Sequence, residues 1–383
     1  VPSSTKIRRP SPSDTAEPAF AITCPVIKSE IEELADNISS WKTYKPFLTE
    51  RPIDLTVYLD QQQPEEELVR INRVLKKNAP TSLSIEIIDA SMTSNESIYI
   101  RNPEGKRPGW LGYKSGPNLQ FLRNMYTHQL YDVVLQYEAD CIPLSNGWAQ
   151  QLISQTYRTC SCVMGSQYTG PSPMHLYYAR HINGNALYFP SHALFPEYLS
   201  VVIECIFNCL NIHNEGMVAF DIALDLCLSR ESEIMSDHTN DLLFRIRQIL
   251  PYIAPIPHIA NLSGDWETKG VVLLDFEKYF TFHPFTLLLH TKLIKPGSDL
   301  HNYVAALRKP TSSLLDKTPS PSSKNSTSSC KSRKLIRSLV DLINTGFMNE
   351  NEHDNFYRLK KRCSDKILNS LHLNISKVEQ KEK

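Results

Sequence analysis

The spacing of apolar positions changes along the chain in an ordered way. Residues 19–27 form an apolar run of strand type with Pro25 near its end. From Ser29 onward Ile31, Leu34, Ala35 and Ile38 recur at helical spacing. Residues 53–59 give a second strand, closed by Asp60. Pro64 then opens a helix at its first turn, with Glu65, Glu66 and Glu67 where the helix dipole favours acids. Leu68, Ile71, Val74 and Leu75 supply its buried stripe, and residues 83–88 form a third strand. Strand, helix, strand, helix, strand is the order that builds a parallel sheet with crossover helices.

A polar stretch over 91–112 reads as a long loop, and a helix is expected over 118–130. Residues 131–144 follow as an apolar strand that ends in Glu138 and Asp140, with Pro143 as its stop. Alternation along a strand puts these two acids on one side and Ala139 on the other. In open α/β sheets the carboxyl ends of strands are where ligands bind. Further helices are expected over 148–157, 197–210 and 241–250, with 220–228 between the last two. Further strands are expected over 162–165, 186–189, 271–274 and 286–289, and residues 289–292 are expected to close the ordered part. The apolar segment 193–212 contains Pro196, Glu197 and Glu204, so it reads as a core helix and no transmembrane segment is expected.

The ends have a different composition. Residues 1–18 are rich in Pro, Ser and charge and read as a disordered leader without a signal-peptide pattern. Residues 309–334 read as a Ser/Pro/Lys-rich linker, and 335–383 as a helical tail with Leu335, Leu339, Leu342 and Ile343 in helical period. That leaves 19–308 as one large domain of the 383-residue chain. Lys plus Arg equals Asp plus Glu at 41 each, so no global charge argues for a nucleic-acid partner. The nine cysteines are scattered without zinc-site spacing and read as buried free thiols, which suits a reducing compartment. A cytoplasmic location or the cytoplasmic face of a membrane is therefore expected, or the Golgi lumen for a fragment of a longer chain. The five Asn-X-Ser/Thr tripeptides, at Asn37, Asn95, Asn261, Asn325 and Asn374, weigh only weakly towards a lumen.

Four features together resemble the GT-A type of nucleotide-sugar-dependent glycosyltransferase, over roughly residues 20–295. A first strand leads into a helix. Lys114 and Asn118 open the helix before the acidic strand. Glu138-Ala139-Asp140 matches an Asp-X-Asp-like motif, with Glu in place of the first Asp, and is followed by a Pro and a Gly-Trp helix start. His290 follows an apolar strand near the end of the domain. The resemblance implies a Rossmann-like α/β fold with a mixed, mainly parallel sheet flanked by helices. It also implies a nucleotide-diphosphate sugar as donor and a hydroxyl acceptor on a glycan, protein or lipid. A Mn2+ or Mg2+ ion would bridge the donor phosphates, and hard oxygen ligands with one imidazole suit such an ion.

The resemblance also implies roles for particular residues. Asp140 would be the direct metal ligand, Glu138 would act through water or the ribose, and His290 would be the third ligand. Pro25 and Val26 would border the nucleotide, Asp60 would meet the base or ribose, and Lys114 would face the diphosphate, with Asn118 and Ala139 beside the donor. An inverting hexosyl- or pentosyltransferase needs a carboxylate for the acceptor proton. Asp221 fits that place, with Asp225 and Glu215 as alternatives. His181, Asn183 and Asn185 would line the sugar pocket, where Gly184 allows close approach. Asp265 with Trp266, and Trp110, would offer sugar-stacking loops. Two other readings stay open: a sugar-nucleotide nucleotidyltransferase, and a non-catalytic interaction module of the same fold. The first is disfavoured by the glycine-free segment 25–29, and a Rossmann oxidoreductase by the lack of Gly-X-Gly-X-X-Gly after the first strand. The sequence leaves the oligomeric state open.

Overall fold

The computed structural model describes residues 18–92, 116–156, 159–169, 180–209, 218–229, 237–262, 276–292 and 294–307. All of these fall in the first of two units of the chain, residues 1–329. The linker, the helical tail, the strand expected over 271–274 and nearly all of the leader lie outside the described residues.

Strands β1 (Phe20–Val26), β2 (Ile53–Gln61) and β3 (Leu83–Met92) form where the apolar runs predict them, and helices α1 (Ile31–Ser40) and α2 (Glu65–Asn78) cross between them. Helix α3 (Gly116–Thr127) starts two residues earlier and stops three residues earlier than the pattern suggests, and it leads to β4 (Val133–Gln136). Then come β5 (Cys141–Pro143), α4 (Trp148–Thr156), β6 (Val163–Gly165), β7 (Ala186–Tyr188), α5 (Phe195–Phe207), α6 (Ala223–Ser229), α7 (Asp237–Ile249), β8 (Ile253–Pro255), β9 (Ile259–Asn261), α8 (Phe276–Phe282), β10 (Leu288–His290) and α9 (Asp299–Leu307). The fold therefore continues past residue 292 into α9, where the sequence pattern suggested closure.

Seven strands make one sheet in the order β3-β2-β1-β4-β7-β6-β8. Neighbours are parallel except at β7, which runs antiparallel to both β4 and β6. The sheet is thus mixed and mainly parallel. The chain steps outward from β1 to β2 to β3, then returns through α3 to the other side of β1. Right-handed crossovers put α1 and α2 on one face of the sheet and α3 on the other. The crevice between the carboxyl ends of β1 and β4 is the switch point of the topology, where α/β sheets place ligands. A second, three-stranded sheet, β5-β10-β9, is joined to the first through the short link from β4 to β5.

The two faces of the large sheet are chemically distinct. Ile22, Cys24, Val26, Leu55, Val57, Leu59, Val133 and Leu135 pack with Ile31, Leu34, Ile38, Ile71 and Leu75 of α1 and α2 in one apolar core. Each fully buried aliphatic side chain there contributes on the order of 2 kcal/mol. The opposite face carries buried Thr23, Thr56 and Gln136. Helix α3 meets these polar groups with its own: Thr23 Oγ1 donates to Asn124 Oδ1 at 2.8 Å, and Asn124 Nδ2 donates to Gln136 Oε1 at 3.4 Å. Behind the link between the sheets, Trp41, Tyr137 and Trp148 form an aromatic cluster with centroids 5.4–5.8 Å apart. Gly147 starts α4 at φ +69°, against Leu48, whose Cγ would lie 2.9 Å from a Cβ at that position. On the far side Arg245 of α7 is buried and clamps α5, reaching Glu197 and Glu204 at 2.6 Å each and Ser200 Oγ at 3.1 Å. Seven described cysteines are free, and all but Cys160 are buried, in line with the thiol reading.

His128 on α3 makes a test of this layer possible. Its Nδ1 lies 2.9 Å from the Asn124 carbonyl oxygen and its Nε2 lies 2.9 Å from Thr56 Oγ1. The first contact needs a proton on Nδ1 and the second is completed by the threonine hydroxyl donating, so the ring is neutral. Burial lowers its pKa from 6.5 to about 4, against the opposing Asn124 hydrogen bond. A histidine with a depressed folded-state pKa stabilises the fold above about pH 6.5 and loses that contribution as pH falls towards 4, about 3 kcal/mol in all. The His128→Gln variant should therefore show a shallower fall in unfolding free energy between pH 6.5 and 4 than the wild type in urea titrations. An unchanged slope would remove His128 from acid sensitivity.

Candidate active site

Strand β4 stops at Gln136, two residues short of the first acid. Glu138, Ala139 and Asp140 lie in the link between the two sheets, closed by a hydrogen bond from the Cys141 N–H to the Glu138 carbonyl at 3.0 Å. The acids therefore share a side through a turn, and the expectation from strand alternation was wrong in cause. The turn changes the chain's direction as it passes from the large sheet to the small one.

The small sheet then supplies the third group. In β10 His290 pairs with Cys141 of β5 on one side and with Asn261 of β9 on the other. This register carries the imidazole to the acid turn. His290 Nε2 lies 2.9 Å from Glu138 Oε2 and 3.1 Å from Asp140 Oδ1. Its other nitrogen, Nδ1, donates to Asn261 Oδ1 at 3.0 Å. Burial alone would lower the His290 pKa, but the Asp140 and Glu138 charges override it and raise it to about 10. Burial likewise works to raise Asp140, and His290 with Lys292 overrides it, holding the carboxyl below its usual value. Glu138 stands as close to His290 as Asp140 does.

Glu138 is held from the β7 side. Asn185 Oδ1 accepts the Glu138 N–H at 2.7 Å, while Asn185 Nδ2 donates to Glu138 Oε2 at 3.0 Å. Asn183 Oδ1 in turn accepts from Asn185 N at 3.0 Å and Nδ2 at 2.9 Å. The two asparagines expected to line a sugar pocket thus spend these groups on the acid turn and on each other. Gly184 between them lets the chain come close: its carbonyl accepts from Gln136 Nε2 at 3.1 Å.

These groups open into a cleft of about 370 Å³ lined by Pro25, Glu30, Glu33, Gln136, Asp140 and Lys292 among others. Its described walls carry four carboxylates, Glu30, Glu33, Glu138 and Asp140, against Lys292 and His290. Glu33 has its pKa raised by burial and by the Asp140 charge. The Glu138, Asp140 and His290 donor atoms lie within 4.8 Å of one another. Two hard oxygen donors and an imidazole, the latter already oriented through its second nitrogen, fit manganese or magnesium. Phe121 and Phe220 form one wall, stacked at 3.8 Å between centroids.

Other expected residues fall elsewhere. Pro25 and Ala139 line the cleft. Val26 is buried in the apolar core. Asp60 is buried at the end of β2, which raises its pKa, and is not among the lining residues. Asn118 is fully buried and donates to the Val218 carbonyl at 2.7 Å, so its amide ties α3 to the segment before α6. Asp221 follows cleft-lining Phe220 but is not itself a lining residue. Burial raises its pKa against the influence of His181, whose Nε2 lies 3.7 Å from Asp221 Oδ2. Burial raises Asp225 too, again opposed by His181. Lys114, Trp110, Glu215, Asp265 and Trp266 lie outside the described residues. Sequence reading missed Glu30, Glu33, Gln136, Lys292 and Asn261. Only Lys292 carried a signal, as a cation two residues beyond His290.

An alanine Cβ at position 184 would sit 3.0 Å from Glu138 Oε1 and 3.2 Å from Gln136 Nε2. Gly184→Ala should displace the Glu138 carboxylate and weaken Mn2+ binding about tenfold, as read by calorimetric titration of the folded variant. Wild-type affinity in that variant would detach Glu138 from the metal site.

No family model matches the chain, and no curated protein matches it in sequence. Among solved structures it is similar to mouse xyloside xylosyltransferase 1 in the apo form, at 11% identity and TM-score 0.44, over 72% of this chain and 99% of that one. It is also similar to the apo bifunctional glycosyltransferase WbbM, at 6% identity and TM-score 0.42, over 76% of this chain and 52% of that one. A third is the galactosyltransferase LgtC in complex with donor and acceptor sugar analogues, at 8% identity and TM-score 0.36, over 76% of this chain and 96% of that one. Likenesses this distant carry no argument about this chain. The mixed, mainly parallel sheet is read from the chain's own strand order, and the chemistry of the site rests on its own residues.

Proposed function

We propose that the chain is a metal-dependent glycosyltransferase. It would move a hexosyl or pentosyl group from a nucleotide-diphosphate donor to a hydroxyl of a glycan, protein or lipid acceptor. The observation that carries this reading is the meeting of Glu138, Asp140 and His290 at the switch point of the sheet, in a cleft with four carboxylates on its described walls. A diphosphate is repelled by such walls until a divalent cation reverses the local charge. Glu138, Asp140 and His290 would hold manganese or magnesium, which would supply Lewis-acid stabilisation to the departing diphosphate.

The protein's own groups have the following parts. Pro25, ending β1, borders the nucleotide, and Lys292 faces the diphosphate oxygens from the cleft wall. The acceptor oxygen bonds to the anomeric carbon as the bond from that carbon to the diphosphate oxygen breaks. The electron pair of that bond leaves with the nucleoside diphosphate. The acceptor's proton passes to a carboxylate, assigned to Asp221, whose raised pKa suits a base. A single displacement of this kind inverts the anomeric centre.

In a thermal-shift screen, nucleoside diphosphates and nucleotide sugars should raise the melting temperature only together with manganese or magnesium. Asp140→Ala should abolish both that shift and turnover while its circular dichroism stays that of the wild type. Turnover surviving in Asp140→Ala would sink the metal assignment. NMR of the glycoside product should show inversion relative to the donor, and retention would take the base role away from Asp221.

A further inference from the structure

We infer that Asn37, from inside α1, is the positioning residue of the acid turn. Its side-chain amide holds the backbone on either side of Asp140, so that the carboxylates of Glu138 and Asp140 converge. The inference rests on the metal reading of the cleft and names a residue through which that site acts.

Asn37 is fully buried, on the face of α1 that also presents Ile31, Leu34, Ala35 and Ile38 to the core. A primary amide in that company is unfavourable twice over: asparagine is a poor helix former, and its polar atoms must be desolvated. The side chain is satisfied by one five-residue segment. Its Nδ2 donates to the Ala139 carbonyl at 3.0 Å and to the Cys141 carbonyl, the residues before and after Asp140. Its Oδ1 accepts from the Tyr137 hydroxyl at 2.7 Å. Trp41, one turn along α1, donates from its Nε1 to the same tyrosine oxygen at 3.4 Å. The Tyr137 proton is thereby directed at Asn37, which turns the NH2 group towards the turn. One planar group thus ties the carbonyls on both sides of Asp140 to α1. A helix that was needed only to cover the sheet would carry an apolar residue at this position.

A packing role and a positioning role differ in what they do to metal affinity. The test uses the full chain and Mn2+ titrations followed by electron paramagnetic resonance, with melting temperatures measured alongside. Asn37→Ser keeps a small polar group but cannot bridge both carbonyls. It should weaken Mn2+ binding by about tenfold or more, the usual effect of losing a partner outside the ligand set. Tyr137→Phe keeps the aromatic rings and the amide's contacts with the turn while removing the bond that orients it and the acceptor of Trp41 Nε1, so it should weaken binding by a smaller factor. Ile38→Val, a packing change on the same helix, should lower the melting temperature with Mn2+ affinity unchanged. If Asn37→Ser does not fold, Tyr137→Phe decides the matter. Wild-type Mn2+ affinity in whichever of these two variants folds overturns the inference. A wild-type protein that fails to bind Mn2+ at all overturns the proposed function beneath it, which is a distinguishable result.

Discussion

Carboxylates gathered in a half-enclosed cleft repel one another, and the rest of this structure is arranged around containing that repulsion. Glu138 and Asp140 are brought together by a turn, with Glu30 and Glu33 on the same walls. The fold answers with one imidazole wedged between the closest pair, at 2.9 and 3.1 Å. That ring is made strongly basic by its neighbours. Lys292 adds a second positive charge at the rim. The four carboxylates outnumber the imidazole and the lysine on the described walls, and the proposed divalent cation would offset that excess.

The geometry follows from a meeting of two sheets. A continuous strand through 133–143 would have put Glu138 and Asp140 on one pleated face, pointing along the sheet normal. Breaking the strand after Gln136 sends the chain into a second sheet whose central strand is β10. The same pairing that stabilises that sheet therefore fixes His290 against the acids. Its parallel neighbour β9 delivers Asn261 to the far nitrogen of the ring. One register sets both the imidazole and the group that orients it.

Much of the large sheet was legible in the sequence because β1, β2, α1, α2 and β3 are long enough for their periodicity to speak. Strands β8 and β9 have three residues each and carry no period that could be read. The acids and His290 were legible as residue types at the ends of apolar runs, but the cause of their convergence was not, since a turn and a strand look alike over so few residues. Asn185 was read as facing a sugar, because an asparagine beside a glycine suits hydroxyl groups as well as it suits a carboxylate. Asn37 and Asn261 were legible only as glycosylation tripeptides. Both are buried, and their side chains are spent inside the fold, where a glycan has no room. Their real partners lie 29 residues away or more in sequence, and nothing local announces such a pairing.

The choice of amides around the site has a physical logic. A lysine or arginine behind Glu138 would hold it more strongly, but would also neutralise the charge that a metal needs. An acid behind His290 would orient the ring equally well, and would add negative charge to a place already overloaded with it. Asparagine and glutamine can donate and accept without altering the net charge. Asn185 on Glu138, Asn261 on His290, Asn37 on the turn backbone and Gln136 on Gly184 hold four parts of the site in place this way. Their burial costs desolvation, which the hydrogen bonds largely offset. The site thus gains rigidity while its electrostatic field is left to the carboxylates, the imidazole and the lysine.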